Sequence, residues 1–169
     1  MWISKLNLTN FRNFRAVELE LPSAPIVICG NNAEGKTNFL EALYMLAIAK
    51  SYRASTEREM VSWSRTDFES PLVIAASIQK EDDSTQIQIV IQPSELSEAN
   101  KNDNRAMPLN VQKHIRINGV PRRSSQLVGH VTAVLFTALD MELVTGSPSV
   151  RRRYLDVLLC LLEMEYLKA

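Results

Sequence analysis

Residues 30–37 read Gly30-Asn31-Asn32-Ala33-Glu34-Gly35-Lys36-Thr37, and the other elements of the chain can be placed relative to them. The order of a glycine, four residues, a second glycine, a lysine and a threonine is that of a P-loop. Glycines let the backbone curl so that successive N–H groups point inward, and the following helix adds its positive end. In such a loop Lys36 reaches the β- and γ-phosphates of a nucleotide, and the Thr37 hydroxyl binds Mg²⁺.

Apolar residues flank this motif on both sides. Before it, residues 25–29 form a short continuous apolar run, which is typical of a strand buried on both faces. After it, apolar residues recur at helical spacing from about Lys36 to Ala49. A strand, a phosphate-binding loop and a helix in this order predict a P-loop NTPase of the α/β class that binds ATP with Mg²⁺.

The rest of the chain shows mainly strand patterns. Alternating polar and apolar residues predict antiparallel hairpins, and a polar segment at 93–108 predicts a surface loop. In chain order we predict strands at 3–8, 17–21, 72–78, 85–91, 113–118 and 131–136, a short helix at 140–144 ended by Gly146, and a helix that begins at Ser147-Pro148.

Length, charge and cysteine content limit the classes of protein to which the chain can belong. The 169 residues, of which 46% are apolar, suffice for one core. The 19 basic and 19 acidic residues cancel, so any DNA contact requires a local basic patch. Without a secretory signal or an apolar stretch of about 20 residues, no membrane association is expected. Cys29 and Cys160 fit neither a disulfide framework nor a zinc spacing, so we expect buried free thiols in a cytoplasmic protein.

Hydrolysis of a nucleotide needs more than a phosphate cradle. A metal-binding aspartate at the end of a second apolar strand is the usual addition. Asp140 follows such a run, but Thr137 interrupts it, and Asp140 is better placed to cap the short helix. The sequence therefore predicts nucleotide binding without a hydrolytic centre.

Two further motifs carry a resemblance to a known family. Leu8-Thr9-Asn10-Phe11-Arg12-Asn13-Phe14 lies near the start, and the P-loop continues as Gly35-Lys36-Thr37-Asn38-Phe39-Leu40-Glu41-Ala42. Near the end stands Gly146-Ser147-Pro148-Ser149-Val150-Arg151-Arg152-Arg153-Tyr154-Leu155-Asp156. Together these segments resemble the N-terminal part of the RecF family, and the chain is similar more loosely to SMC-type ATPases.

The resemblance implies a fold and a set of partners. The fold is an ABC-ATPase-like lobe with a mixed sheet and antiparallel hairpins around the P-loop helix, spanning residues 1–146. Residues 147–169 are then the first helix of an incomplete second, helical lobe. The family implies a homodimer formed around ATP, binding to gapped DNA or single-strand/double-strand junctions, and cooperation with RecR and RecO-like proteins in DNA replication and recombinational repair.

The resemblance also extends the predicted site. Arg12 and Asn13 match a turn that approaches the nucleotide, and Arg53 matches an arginine near the phosphates, where it could stabilise developing charge. Residues 151–153 could meet DNA phosphates or carboxylates of a second lobe. The predicted nucleotide-binding residues are Gly30, Asn31, Asn32, Ala33, Glu34, Gly35, Lys36, Thr37, Asn38, Arg12, Asn13 and Arg53, and the candidate DNA-binding residues are Arg151, Arg152 and Arg153.

Three departures from the family pattern matter. Ala33 stands where glycine is usual, Ala138-Leu139 stand where the family has Pro-Glu, and the family's coiled coil, signature segment and C-terminal Walker B aspartate are not found. We therefore expect a fragment that binds nucleotide weakly and hydrolyses it little or not at all. The alternatives are a small P-loop kinase or GTPase, although no Asn-Lys-x-Asp guanine motif occurs, and an inactive remnant that only binds partners.

Overall fold

A computed structural model of the chain describes residues 1–61, 70–81, 83–93, 111–162 and 166. The strands are β1 (Trp2–Phe11), β2 (Phe14–Glu20), β3 (Leu72–Gln79), β4 (Ser84–Pro93), β5 (Val111–Ile117) and β6 (Val120–Arg122). The helices are α1 (Lys36–Ile48), α2 (Ser124–Leu127), α3 (Glu142–Thr145) and α4 (Pro148–Leu162), and 3-10 turns occur at Glu57–Met60 and Ala138–Met141.

The six strands form one sheet in the order β2-β1-β3-β4-β5-β6. The predicted hairpins β1–β2 and β3–β4 and the predicted strand β5 are confirmed. The expectation of a mixed sheet needs correction, because each pairing among these strands is antiparallel. Short turns join most neighbouring strands, and a short turn can only connect antiparallel strands.

The core lies between one face of this sheet and α1. Alternate side chains of β3 and β4 point to that face, as expected for a period of two residues. Helix α1 adds an apolar stripe, so the buried cluster is continuous from sheet to helix. Its members on these three elements are Leu72, Ile74, Ala76 and Ile78 of β3, Ile87, Ile89 and Ile91 of β4, and Phe39, Ala42, Met45, Leu46 and Ala47 of α1.

Two predicted strands are wrong. Residues 25–29 and 131–136 form no ladder with any strand in the described part of the chain, apart from a single bridge at Val131. Without neighbouring strands to cover it, the run 25–29 is exposed throughout, with Val27 at 84%. In 131–136 alternate side chains are exposed, with Phe136 at 83%, whereas Val131 is buried in the core. Cys29 is exposed too, so the expected burial of this thiol is also wrong, although both cysteines are free as predicted.

The remaining expectations concern helices and the polar loop. The short helix before Gly146 and the helix that starts at Pro148 are both confirmed as α3 and α4. Apart from Pro93, the predicted loop 93–108 falls outside the described residues. In the portion of the chain that the structure covers, no helix combines the length and apolarity needed to cross a membrane.

The two edges of the sheet are protected by sequence. At one edge, β2 presents exposed Glu18 and Glu20, and Lys5 of β1 pairs with Glu18. At the other edge, β6 is only three residues long and contains Pro121, which has no N–H to offer another strand. Charges, proline and shortness are all features that discourage pairing with a further strand.

We predict that Ile89→Ala lowers the free energy of unfolding by about 2–5 kcal/mol, because it removes buried methylene groups from the middle of β4 and leaves a cavity. Urea denaturation followed by circular dichroism measures this loss. Gln86→Ala, at an exposed position of the same strand, should change stability by less than about 0.5 kcal/mol. Equal effects of the two substitutions would contradict the assignment of faces in β4.

Candidate nucleotide-binding site

The P-loop leads directly into α1. Gly35 is the residue that precedes the helix, and its carbonyl accepts the first helical bond from the Phe39 N–H at 2.8 Å. Gly35 has a φ of 106°, and a Cβ placed there would lie 2.6 Å from the Asn13 side chain. Only glycine fits this position without movement of its neighbours. Ala33 also has a left-handed φ of 68°, which costs a non-glycine residue about 1 kcal/mol.

Polar groups of the loop bind one another. The Lys36 Nζ donates to the carbonyl oxygens of Gly30 at 2.7 Å and of Asn31 at 2.6 Å. The Glu34 carboxylate accepts from the backbone N–H of Asn31 at 2.7 Å and from its side-chain amide at 2.8 Å. These two hydrogen bonds, with a smaller contribution from the Lys36 charge, hold the pKa of Glu34 below its ordinary value.

A chain of side-chain hydrogen bonds crosses the outer surface of the site. The Asn13 amide donates to the Glu34 carbonyl oxygen at 3.1 Å, and the Asn38 amide donates to Asn13 Oδ1 at 2.7 Å. The Arg53 guanidinium in turn donates to Asn38 Oδ1. The structure therefore brings the predicted residues Asn13, Asn38 and Arg53 together beside the P-loop.

Beneath this surface, α1 carries a buried carboxylate. Glu41 is fully buried and accepts from Arg12 Nε at 2.9 Å and from Arg12 Nη2 at 2.6 Å. Ser51 Oγ and Arg53 Nε donate to the same carboxylate at 2.5 and 3.0 Å. Arg12 also donates to the Glu59 carbonyl oxygen at 2.5 Å. One carboxylate thus joins the β1–β2 turn, α1 and the segment after α1.

The pKa of Glu41 reflects this environment. Burial would raise it, but hydrogen bonds from Arg12 and Ser51, together with the charges of Arg12 and Arg53, outweigh burial and leave the pKa lowered. Glu41 and Ser51 also belong to the site, and neither was predicted from the sequence. A signal was available, since Glu41 lies four residues before Met45 on the apolar face of α1, where an acidic residue needs a partner.

The predicted contacts of Arg12 and Thr37 with nucleotide and Mg²⁺ stay predictions. Arg12 is buried, and its guanidinium is bonded to Glu41 and to the backbone of Glu59. Thr37 lies exposed in the first turn of α1, where its hydroxyl is the kind of hard oxygen ligand that Mg²⁺ prefers. The Thr37 hydroxyl is therefore a suitable ligand for Mg²⁺, and phosphate oxygens of the nucleotide usually supply further ligands in such a site.

Asp140 lies in a different place from the P-loop. Its carboxylate accepts from the Thr137 N–H at the start of the 3-10 turn, so Asp140 reaches back to cap this turn from within. The expectation that Asp140 caps the short helix needs correction, because the residue that precedes α3 is Met141. With Tyr44 of α1 and Arg153 of α4, Asp140 lines a cleft of about 410 Å³ beside the C-terminal half of α1. Asp140 is therefore not positioned next to Lys36 and Thr37.

The three arginines of α4 have different surroundings. Arg151 donates to the carbonyl oxygens of Leu143 at 3.3 Å and of Gly146 at 3.0 Å, and so binds the end of α3. Arg153 lines the cleft described above, and Arg152 is exposed. Their predicted role in DNA binding stays a prediction.

We predict that Glu41 makes folding stability dependent on acid pH. A carboxyl whose folded pKa lies below its ordinary value of 4.5 stabilises the folded state above that pH, and this contribution is lost as the pH falls through the lowered folded pKa. Glu41→Gln removes this component. At pH 7 the variant should lose about 3 kcal/mol of stability, because Arg12 stays buried without its counter-charge.

Urea denaturation of the wild type and of Glu41→Gln at pH 7 and below pH 4.5 measures both effects. Glu20→Gln, which changes an exposed glutamate of β2, is the control and should keep the wild-type profile. Identical pH profiles for the wild type and Glu41→Gln would contradict the role assigned to the buried carboxylate.

Comparison with known proteins gives relatives along the full chain. RecF of Herpetosiphon aurantiacus, a DNA replication and repair protein, is 39% identical over 174 residues, which cover 100% of this chain and 44% of the relative. The protein of the same name from Chloroflexus aurantiacus is 37% identical, with 99% of this chain and 42% of the relative covered. This chain therefore spans less than half the length of these relatives.

Solved structures similar to this chain include RecF as well. The recombination mediator protein RecF in the RecFOR pathway, solved with ATP, has a TM-score of 0.77 at 26% identity and covers 96% of this chain and 40% of that one. A second RecF structure, described as RecF-ATPrS, has a TM-score of 0.80 at 25% identity and covers 98% and 40%. The SMC head domain from Thermotoga maritima, with a TM-score of 0.51 at 15% identity over 75% of this chain and 41% of that one, shows the fold alone.

A family model completes the comparison. The model of the AAA ATPase domain, AAA_15, matches residues 1–128, which include the P-loop, α1 and the sheet. The expected P-loop NTPase fold and the resemblance to RecF are both confirmed. The chain belongs to the family of AAA ATPase domains.

Proposed function

We propose that this chain is the ATP-binding part of a RecF-like protein of DNA replication and repair. The observation that carries the proposal is the P-loop, which runs directly into α1 with the Lys36 ammonium inside the loop. Relatives named for DNA replication and repair, and a RecF structure solved with ATP, support it.

Most of the predicted residues beside the loop have a chemical role in this proposal. Lys36 moves from the carbonyl oxygens of Gly30 and Asn31 to the β- and γ-phosphates. The N–H groups of residues 31–37 cradle the phosphates, and Arg53, held by Asn38, adds a positive charge beside them. Thr37 would hold Mg²⁺, which neutralises charge on the phosphates.

Binding without efficient hydrolysis is the activity we propose for the chain alone. A general base must have an oxygen within reach of the attacking water. Both oxygens of Glu41, the buried carboxylate nearest to the loop along α1, accept hydrogen bonds from arginine or serine. Asp140 lies beside the other end of the helix. Neither carboxylate is placed to activate water at the phosphates.

The wider role is part of the same proposal. We propose that ATP promotes a homodimer, that the protein acts in the cytoplasm on gapped DNA or single-strand/double-strand junctions, and that RecR and RecO-like proteins are its partners. The RecFOR pathway named for the related structures supports this assignment. Arg151, Arg152 and Arg153 are the proposed DNA contacts, and their exposure on α4 allows them to reach phosphates.

We predict that the chain binds Mg-ATP and that Lys36→Ala weakens binding by roughly tenfold or more, because a charge-assisted contact with the phosphates is lost. Isothermal titration calorimetry measures both affinities. Lys80→Ala, in the β3–β4 turn, is the matched control and should bind like the wild type. No binding by the folded wild type would contradict the proposed function. It would favour the alternative hypothesis of an inactive remnant that only binds partners.

We predict that the triple variant Arg151→Ala/Arg152→Ala/Arg153→Ala binds a gapped DNA more weakly in the presence of Mg-ATP. Each lost phosphate contact should lower the slope of log affinity against log salt by about 0.9. Fluorescence anisotropy over a salt series measures this, with circular dichroism to verify folding because Arg151 also binds the end of α3. The matched control removes three other arginines, Arg116, Arg122 and Arg123. An unchanged salt slope in the first variant would favour pairing of α4 with protein carboxylates instead.

A further inference from the structure

The Glu34 carboxylate turns back onto the phosphate-binding loop and binds its backbone. One oxygen accepts from the Asn31 backbone N–H at 2.7 Å, and the other accepts from the Asn31 side chain at 2.8 Å. The carboxylate also lies directly against Gly30, since a Cβ added to Gly30 would collide with Glu34 Oε2. A negatively charged group of the chain itself therefore already accepts from a backbone donor of the loop.

Glu34 engages a backbone N–H of the loop, which is the type of donor that binds phosphate in a P-loop. Inward-pointing N–H groups of a P-loop bind anions, and the Asn31 N–H here binds a carboxylate. The Lys36 ammonium is held by the carbonyl oxygens of Gly30 and Asn31 on the same loop. A nucleotide phosphate that takes the Asn31 N–H therefore has to displace the Glu34 carboxylate, and it competes with two carbonyl oxygens for Lys36.

We propose that Glu34 is an internal competitor of the nucleotide, an acidic residue that lowers the affinity of the P-loop for phosphate by binding its donors. The inference rests on the proposed function, because it concerns the regulation of the same site. It assigns to Glu34 an effect opposite to the one expected from its place in the binding motif. Glu34 opposes nucleotide binding, whereas Lys36 supports it.

Competition of this kind tunes affinity and does not abolish it. Glu34 is exposed, so water can replace either partner of its carboxylate at small cost. The apparent dissociation constant rises in inverse proportion to the fraction of time that the loop is free of the carboxylate. A loop that is free for about one tenth of the time binds roughly tenfold more weakly than one that is always free.

Two substitutions separate charge from contact. Glu34→Gln removes the negative charge but keeps an oxygen that can accept from Asn31, whereas Glu34→Ala removes both. We expect Mg-ATP to bind Glu34→Ala roughly three- to tenfold more tightly than the wild type, with Glu34→Gln in between. Isothermal titration calorimetry provides the affinities, and Glu20→Gln, an exposed glutamate of β2, should leave them unchanged.

A second readout needs no nucleotide. In ¹H–¹⁵N spectra without ATP, the Asn31 amide resonance should move in Glu34→Ala, because its proton loses a charged acceptor. An unmoved Asn31 resonance would overturn the inference at the level of the contact. If the wild type binds Mg-ATP and Glu34→Ala binds it no more tightly, the inference falls while the proposed function stands. If no folded variant binds, both fall.

Discussion

The buried carboxylate of Glu41 determines how the site residues are arranged. Placing a carboxylate in the core is costly unless its charge and its lone pairs are satisfied, and here Arg12, Ser51 and Arg53 satisfy them. These three partners come from segments on both sides of α1. The helix therefore cannot shift along the sheet without breaking hydrogen bonds to a buried charge. Because the P-loop continues directly into α1, this anchor also fixes where the loop lies.

Arg53 connects the buried anchor to the exposed surface of the site. Its Nε binds Glu41 below, and its guanidinium donates to Asn38 above, which leads through Asn13 to the loop backbone at Glu34. A planar guanidinium can serve both partners in one rigid geometry, which a lysine with its single ammonium group cannot do. The position of the P-loop is thus related to the core by one continuous series of polar contacts.

Features that depend on a short-range residue pattern could be predicted from the sequence. Alternation identified β4, because every second residue of a half-buried strand is apolar, and the polar turn before it marked the end of the apolar run of β3. The glycine and lysine spacing identified residues 30–37. The runs 25–29 and 131–136 could not be resolved in the same way, since a continuous apolar run becomes a strand only if neighbouring strands pair with it. Glu41 and Ser51 were not predicted as site residues for a related reason. Their role depends on Arg12 and Arg53, which are distant in sequence or outside the helix.

The protected edges of the sheet limit how this molecule can associate. Glu18 and Glu20 on β2 repel a strand that approaches one edge, and the three-residue β6 with Pro121 gives the other edge almost nothing to pair with. Growth of the sheet from chain to chain, the route that leads to fibrils, is therefore disfavoured at both edges. The chain can expose long apolar side chains elsewhere, such as Val27 and Phe136, without offering them an extendable sheet. The composition of the two outer strands thus disfavours fibrillar association of the chain through its sheet.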